Sequence, residues 1–164
     1  MVVTLDTGSN ELWVNPDCST ALSAAQSTWC LSNPVYNSGA SPTVVDEDVQ
    51  FDLEYGKGSA QGEYLEDIVW VGGVQVPNSI FGDASTSTDM AAGIWGVCFG
   101  YPLNTVYYTV LDLMYLDGII NSRAFSLDLM SVDTAEGKSS SQQIFSDPSQ
   151  NIPVDLGAIA RTTA

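Results

Sequence analysis

The sequence predicts an all-β lobe. Apolar runs recur at 2–5, 11–14, 49–55, 61–71, 74–81, 93–97 and 124–129, separated by Gly, Pro, Asn and Ser, as short strands joined by turns require. Only one stretch, 106–116, reads as a helix, with apolar spacing at Val106, Val110, Leu113 and Leu116. A composition of 45% apolar residues with 14 Gly and 7 Pro suits many turns around a core, and 164 residues are enough for one domain. Sandwiches and barrels are the common ways to arrange such strands.

Taken in order, the runs 2–5 and 11–14 flank Asp6-Thr7-Gly8-Ser9-Asn10, a tight turn carrying one carboxylate. The polar stretch 19–28 reads as a surface loop bounded by Cys18 and Cys30. Residues 51–62 alternate apolar and polar, turn at Gly56-Lys57-Gly58 and resume at Tyr64-Leu65, the pattern of a β-hairpin. The strand 74–81 follows, and the Ser-rich stretches 83–89 and 139–149 read as further surface loops. Cys98, between Val97 and Phe99, reads as a buried free thiol with no base beside it. There is no internal repeat.

Charge and composition narrow the function. Lys and Arg number 4 against 20 Asp and Glu, a formal charge of −16, which disfavours nucleic acid and anionic membrane surfaces as partners. The same balance suits a protein working at low pH, and equally a generically soluble secreted surface. With no His in these residues, a Ser-His-Asp or Cys-His site and a His-ligated metal cannot be built from them. No run of eighteen or more apolar residues and no signal peptide is visible.

A carboxylate at the tip of a rigid loop, with a hydroxyl and backbone amides around it, can share a proton with a second carboxylate and activate a water between them. The segment 2–14, two apolar residues, Asp-Thr-Gly-Ser, two variable residues and Leu-Trp-Val, resembles the first active-site loop of pepsin-like (family A1) aspartic endopeptidases. Residues 51–62 resemble that family's flap, with Tyr55 at the Tyr-Gly-x-Gly-Ser position; Lys57 stands where the family usually has Thr or another small residue. Segments 68–82, 93–97 and 118–129 resemble the strands and the helix exit that follow, particularly in secreted fungal members, although Ala92 replaces an Asp common there. The resemblance implies a pepsin-like lobe, a double-psi-type β-barrel with a flap hairpin and one or two short helices.

It also implies site residues. Asp6 would be the catalytic carboxylate, supported by Thr7, Gly8 and Ser9, and Tyr55, Gly56, Ser59, Trp13 and Ile94 would form the substrate-binding flap and pocket, with the Tyr55 hydroxyl able to meet the Trp13 indole N–H. Cys18 and Cys30 stand where the family commonly closes a small disulfide loop, worth roughly 3 kcal/mol in the chain-entropy model. Such a bond implies an oxidising, secreted, extracellular or vacuolar location. The substrate would be a polypeptide, with no cofactor and no metal.

The resemblance fades after residue 136, which leads to an expected lobe at 1–136, cut short at its N-terminal edge, and an atypical tail at 137–164 with the second lobe absent. Asp133, in Ser131-Val132-Asp133-Thr134-Ala135, lacks the apolar pair before it and the strand after it, so it is a poor second carboxylate. Two carboxyl groups about 3 Å apart share one proton, a splitting for which the aspartic-protease dyad is the general illustration. The second Asp is therefore expected from outside this chain, from a missing second lobe or a second copy. The alternative is an inactive truncated paralogue that binds peptides or proteins.

Overall fold

The computed structural model describes residues 1–129, 141–145 and 154–155, and Asp133 lies outside them. The strand runs β1 (Val3–Asp6), β2 (Leu12–Val14), β3 (Val45–Glu54), β4 (Ser59–Val71), β5 (Val74–Thr88) and β6 (Gly93–Gly96) fold into a six-stranded sheet in the order β1-β6-β2-β5-β4-β3. Strand β1 (Val3–Asp6) lies parallel to β6 (Gly93–Gly96), with Val3 opposite Gly93 and Asp6 opposite Gly96. Strand β2 (Leu12–Val14) runs antiparallel along the other side of β6 and parallel to the middle of β5 (Val74–Thr88). The chain thus leaves β1, loops over the end of β6 and returns along it, the psi-type crossing that the fold class requires.

That crossing is tight enough to dictate sequence. A Cβ on Gly93 would stand 2.2 Å from the Trp13 carbonyl oxygen, and one on Gly96 would stand 2.5 Å from the Asn10 nitrogen. Both obstacles are backbone, so neither glycine can carry a side chain without moving the loop.

Strands β3 (Val45–Glu54), β4 (Ser59–Val71) and β5 form an antiparallel meander, with irregular register between Asp46 and Gln50, between Gln61 and Gly62, and between Asp67 and Val69. A separate three-stranded antiparallel sheet joins β7 (Ser126–Leu129), β8 (Ser141–Phe145) and β9 (Val154–Asp155). The main core gathers Val71, Val76, Trp95, Val97, Val110, Leu111, Met114 and Ile120, and a second cluster of Trp13, Phe51, Ala60 and Ile94 sits where the hairpin meets β2 and β6.

Several local expectations are corrected. Residues 83–88 are strand rather than loop: their polar pattern is still a strand because its inward groups are bonded, the Ser87 hydroxyl accepting from the Asp17 N–H at 2.8 Å and the Ser87 carbonyl from the Thr20 hydroxyl at 2.7 Å. The stretch 19–28 holds most of a helix, α1 (Ala24–Leu31), capped by the Ser23 hydroxyl. It buries only Cys30, so it has no apolar stripe to announce it. Helix α2 spans Val110–Leu116 and starts later than residue 106, because Thr109 and Asp112 form a capping box while Val106 is exposed. The stretch 139–149 contains β8. Cys98 is half-buried rather than buried, since β6 has already ended at Gly96.

Cys18 and Cys30 are joined, with Cα atoms 5.5 Å apart, which ties α1 back to the exit of β2. Among the described residues no helix is long and apolar enough to cross a membrane.

One buried carboxylate sets a pH limit on this scaffold. Asp67 accepts from the Thr43 hydroxyl at 2.5 Å, the Ile68 N–H at 2.7 Å and the Tyr36 hydroxyl at 2.8 Å. Burial pushes its pKa up, but these hydrogen bonds outweigh it and bring the value down to about 2 from 3.8. A depressed native pKa stabilises the fold above the unfolded value near pH 4, and that stabilisation disappears as the pH falls towards about 2. We expect thermal melts to show wild type losing about 2 kcal/mol more than Asp67→Asn across that window. Equal losses in the two proteins would show that Asp67 does not carry the effect.

Candidate active site

Asp6 is the last residue of β1, and the loop after it is fastened from below by three consecutive amides. The Gly96, Val97 and Cys98 N–H groups donate to the carbonyls of Glu11, Asp6 and Ser9 at 2.8, 2.9 and 2.9 Å. Every second or third carbonyl of the loop is therefore fixed to the end of β6, so the loop is rigid although it contains no regular structure. The Asn10 side-chain amide adds a contact to the Asn104 carbonyl at 3.3 Å.

The carboxylate itself is half-buried, and its Oδ1 accepts the Gly8 N–H at 2.9 Å. A Cβ on Gly8 would stand 3.3 Å from that oxygen, so glycine lets backbone press directly against the acid. Of the three residues expected to support Asp6, Gly8 provides this bond, Thr7 is exposed, and the Ser9 hydroxyl is buried with no hydrogen-bond partner among the described residues.

The hairpin expected to cover the loop is formed by β3 and β4. The Tyr55 N–H closes the turn onto the Gly58 carbonyl at 3.0 Å, and Gly58 takes a φ of +83°. A Cβ there would stand 2.2 Å from the Thr88 carbonyl oxygen, so Gly58 is the glycine the turn needs, whereas a Cβ on Gly56 would meet nothing. The Ser59 hydroxyl pairs with that of Thr88 at 2.9 Å, anchoring the tip end of the hairpin on β5.

The Trp13 indole N–H donates to the Tyr55 hydroxyl at 2.8 Å and so ties hairpin to loop. Trp13 is fully buried and pairs with Ile94 of β6. Burial raises the Tyr55 phenol to about 12; the indole bond opposes that rise, and the charges of Glu11 and Asp6 add to it. Tyr55 is therefore a neutral hydroxyl at any working pH, held within the field of the Asp6 carboxylate.

A cluster that the sequence did not reveal stands beside this pair. Glu11 Oε2 accepts from the Tyr107 hydroxyl and, at 3.2 Å, from the Tyr64 hydroxyl. The two rings meet edge to face at 5.7 Å, and Tyr64 also packs on Phe51. Burial, followed by the Glu11 charge, pushes both phenols up. Glu11 thereby links the exit of the loop to β4 and to the approach to α2. Nothing in the chain order signals it, since the three residues are far apart in sequence.

The arrangement provides one carboxylate bonded to a backbone amide, with a glycine-tipped hairpin tied to the same loop through Trp13 and Tyr55, chemistry suited to accepting a proton from a water. No second Asp-Thr-Gly loop occurs among the described residues.

Comparison with known proteins agrees with this layout. The sequence model of the eukaryotic aspartyl protease family matches residues 1–148. Candidapepsin of Candida tropicalis is 34% identical over 145 residues, covering 83% of this chain and 36% of that protein. Candidapepsin-4 of Candida albicans (strain WO-1) is 33% identical over 144 residues, covering 83% and 34%. Secreted aspartic protease 8 of Candida albicans is 33% identical over 140 residues, covering 82% and 34%. The chain spans about a third of the length of the curated relatives it matches.

Proposed function

This chain belongs to the eukaryotic aspartyl protease family, and from that membership we propose that it acts as half of an aspartic-type endopeptidase. Asp6 takes or gives the proton of the attacking water, the Gly8 N–H holds its carboxylate, and Thr7 and Ser9 complete the loop. Tyr55, Gly56 and Ser59 close over the peptide with Trp13 and Ile94 behind them. The single observation that supports this most is the Asp6 carboxylate fixed by the Gly8 N–H at 2.9 Å and acting by its charge on Tyr55 of the hairpin, whose hydroxyl is bonded to Trp13.

Water activation by one carboxylate leaves the developing oxyanion without a proton donor, so the reaction needs a second Asp supplied from outside these residues. A second lobe or a second copy of the chain would supply it, the latter by two-fold symmetry. The lobe is assigned to 1–136 and the tail to 137–164. The Cys18–Cys30 bond and the secreted proteases among the relatives support an oxidising location, extracellular or vacuolar.

A second reading is a peptide- or protein-binding module that does not cut. The two readings separate in one assay. Hydrolysis of a denatured protein at about pH 3–5, blocked by pepstatin, is the expected result for the enzyme. A stable monomer that binds peptides without cutting them would leave the binding module.

A further inference from the structure

We propose that Lys57, at the tip of the hairpin, selects anionic side chains in the peptide held beneath it. The inference rests on the reading of the hairpin as a cover for bound peptide, and it names a substrate feature that this reading leaves open.

Cations are scarce in this chain, four Lys and Arg against twenty Asp and Glu. Two of the four fall within residues 1–129, and they are used differently. Arg123 is committed to Asp112 at 2.6 Å. Lys57 is exposed and makes no ion pair among the described residues. It occupies the middle of Gly56-Lys57-Gly58, two residues from the Tyr55 whose hydroxyl is bonded to Trp13 and lies within the field of Asp6. The backbone here is pinned by the Tyr55 N–H to Gly58 carbonyl bond and by the packing of Gly58 on Thr88 and Met90, so the tip has a defined place while the lysine stem can swing.

Carboxylates lie on the segments next to this hairpin. Glu54 lies on the same hairpin, Asp89 follows the Thr88 that abuts Gly58, and Asp6 and Glu11 lie on the loop across from Tyr55. They repel an acidic peptide in general, and screening limits each to roughly 8 Å at physiological salt. An ammonium on the element that closes over the peptide offsets that repulsion at one place only. Its contribution therefore reads as a positional preference and not as a general affinity for acidic chains.

The preference carries a pH signature. A peptide Glu ionises around pH 4.3, so discrimination between Glu and Gln is present above about pH 5 and absent near pH 3. The size expected for an exposed pair is about 2- to 5-fold.

The test uses the 164-residue chain carrying Asp6→Asn, so that nothing is cut. Fluorescence anisotropy measures labelled apolar decapeptides in which a single Glu, or its Gln counterpart, is walked through every position. At one position, Lys57→Thr is expected to lose about 2- to 5-fold of the Glu/Gln affinity ratio at about pH 5.5 and none at about pH 3, with Lys57→Arg restoring it. A ratio unchanged by Lys57→Thr at both pH values overturns the inference while peptide binding stands. Failure of every peptide to bind overturns the covering role of the hairpin, and this inference with it.

Discussion

Asp6→Asn is expected to lower pepstatin-sensitive cleavage by about 10²–10⁴-fold, the range that a positioned proton-transfer group contributes. The argument is geometric as well as chemical. An Asn side-chain oxygen can still accept the Gly8 N–H that now donates to Asp6 Oδ1 at 2.9 Å, and the amides of residues 96–98 hold the loop through backbone carbonyls that the substitution does not touch. The loop should remain seated, with stability changed by no more than about 1 kcal/mol. What disappears is an oxygen able to take a proton from water. Cleavage kinetics beside a thermal melt check both halves of the expectation. A variant that melts like wild type and still cuts would remove Asp6 from the chemistry.

The largest stability effect is expected at Asp112. This carboxylate is 3% exposed and accepts four hydrogen bonds: from Arg123 at 2.6 Å, from the Tyr101 and Thr109 N–H groups at 3.0 Å each, and from the Thr109 hydroxyl at 2.9 Å. It caps α2, holds the segment leaving β6, and fixes the one described Arg. Burial pushes its pKa up, but Arg123 and the amide donors prevail and hold it below the ordinary carboxylate range. Its contribution is accordingly present above about pH 4 and fades as the pH falls below that.

In Asp112→Ala the half-exposed Arg123 can turn to water, but the buried Thr109 N–H and hydroxyl cannot. Leaving those donors unsatisfied, together with the lost cap, should cost about 3 kcal/mol, or on the order of 10 °C in Tm. Asp112→Asn keeps an acceptor and should cost roughly half as much. Urea titration of the three proteins measures both differences. A loss below about 1 kcal/mol for Asp112→Ala would mean that the network does not carry α2.

Asp112 also shows where a sequence stops being legible. Thr109 and Asp112 spell a capping box that moves the start of α2 away from residue 106, yet the apolar spacing through Val106 points the other way. Spacing records which residues could share a face; only packing shows that Val106 is left in solvent. The same limit hid α1, a helix held by a Ser23 cap and a disulfide without an apolar stripe, and the far half of β5, whose polar residues are satisfied by the Asp17–Thr20 turn. Asp6, Gly8, Tyr55 and Trp13 were legible because each belongs to a short contiguous motif whose backbone shape is local.

By itself, then, the sequence determined the strand runs, the loop that carries Asp6, the glycine-tipped hairpin and the family to which they belong. The tertiary structure alone decided that three successive amides of residues 96–98 clamp that loop, that Glu11 gathers Tyr64 and Tyr107, and that Arg123 is spent on Asp112 while Lys57 is not. Turns and motifs depend on neighbouring residues and are written in chain order. Hydrogen-bond partners and ion pairs join residues that meet only when the sheet closes, and no local pattern records which of many possible partners will arrive.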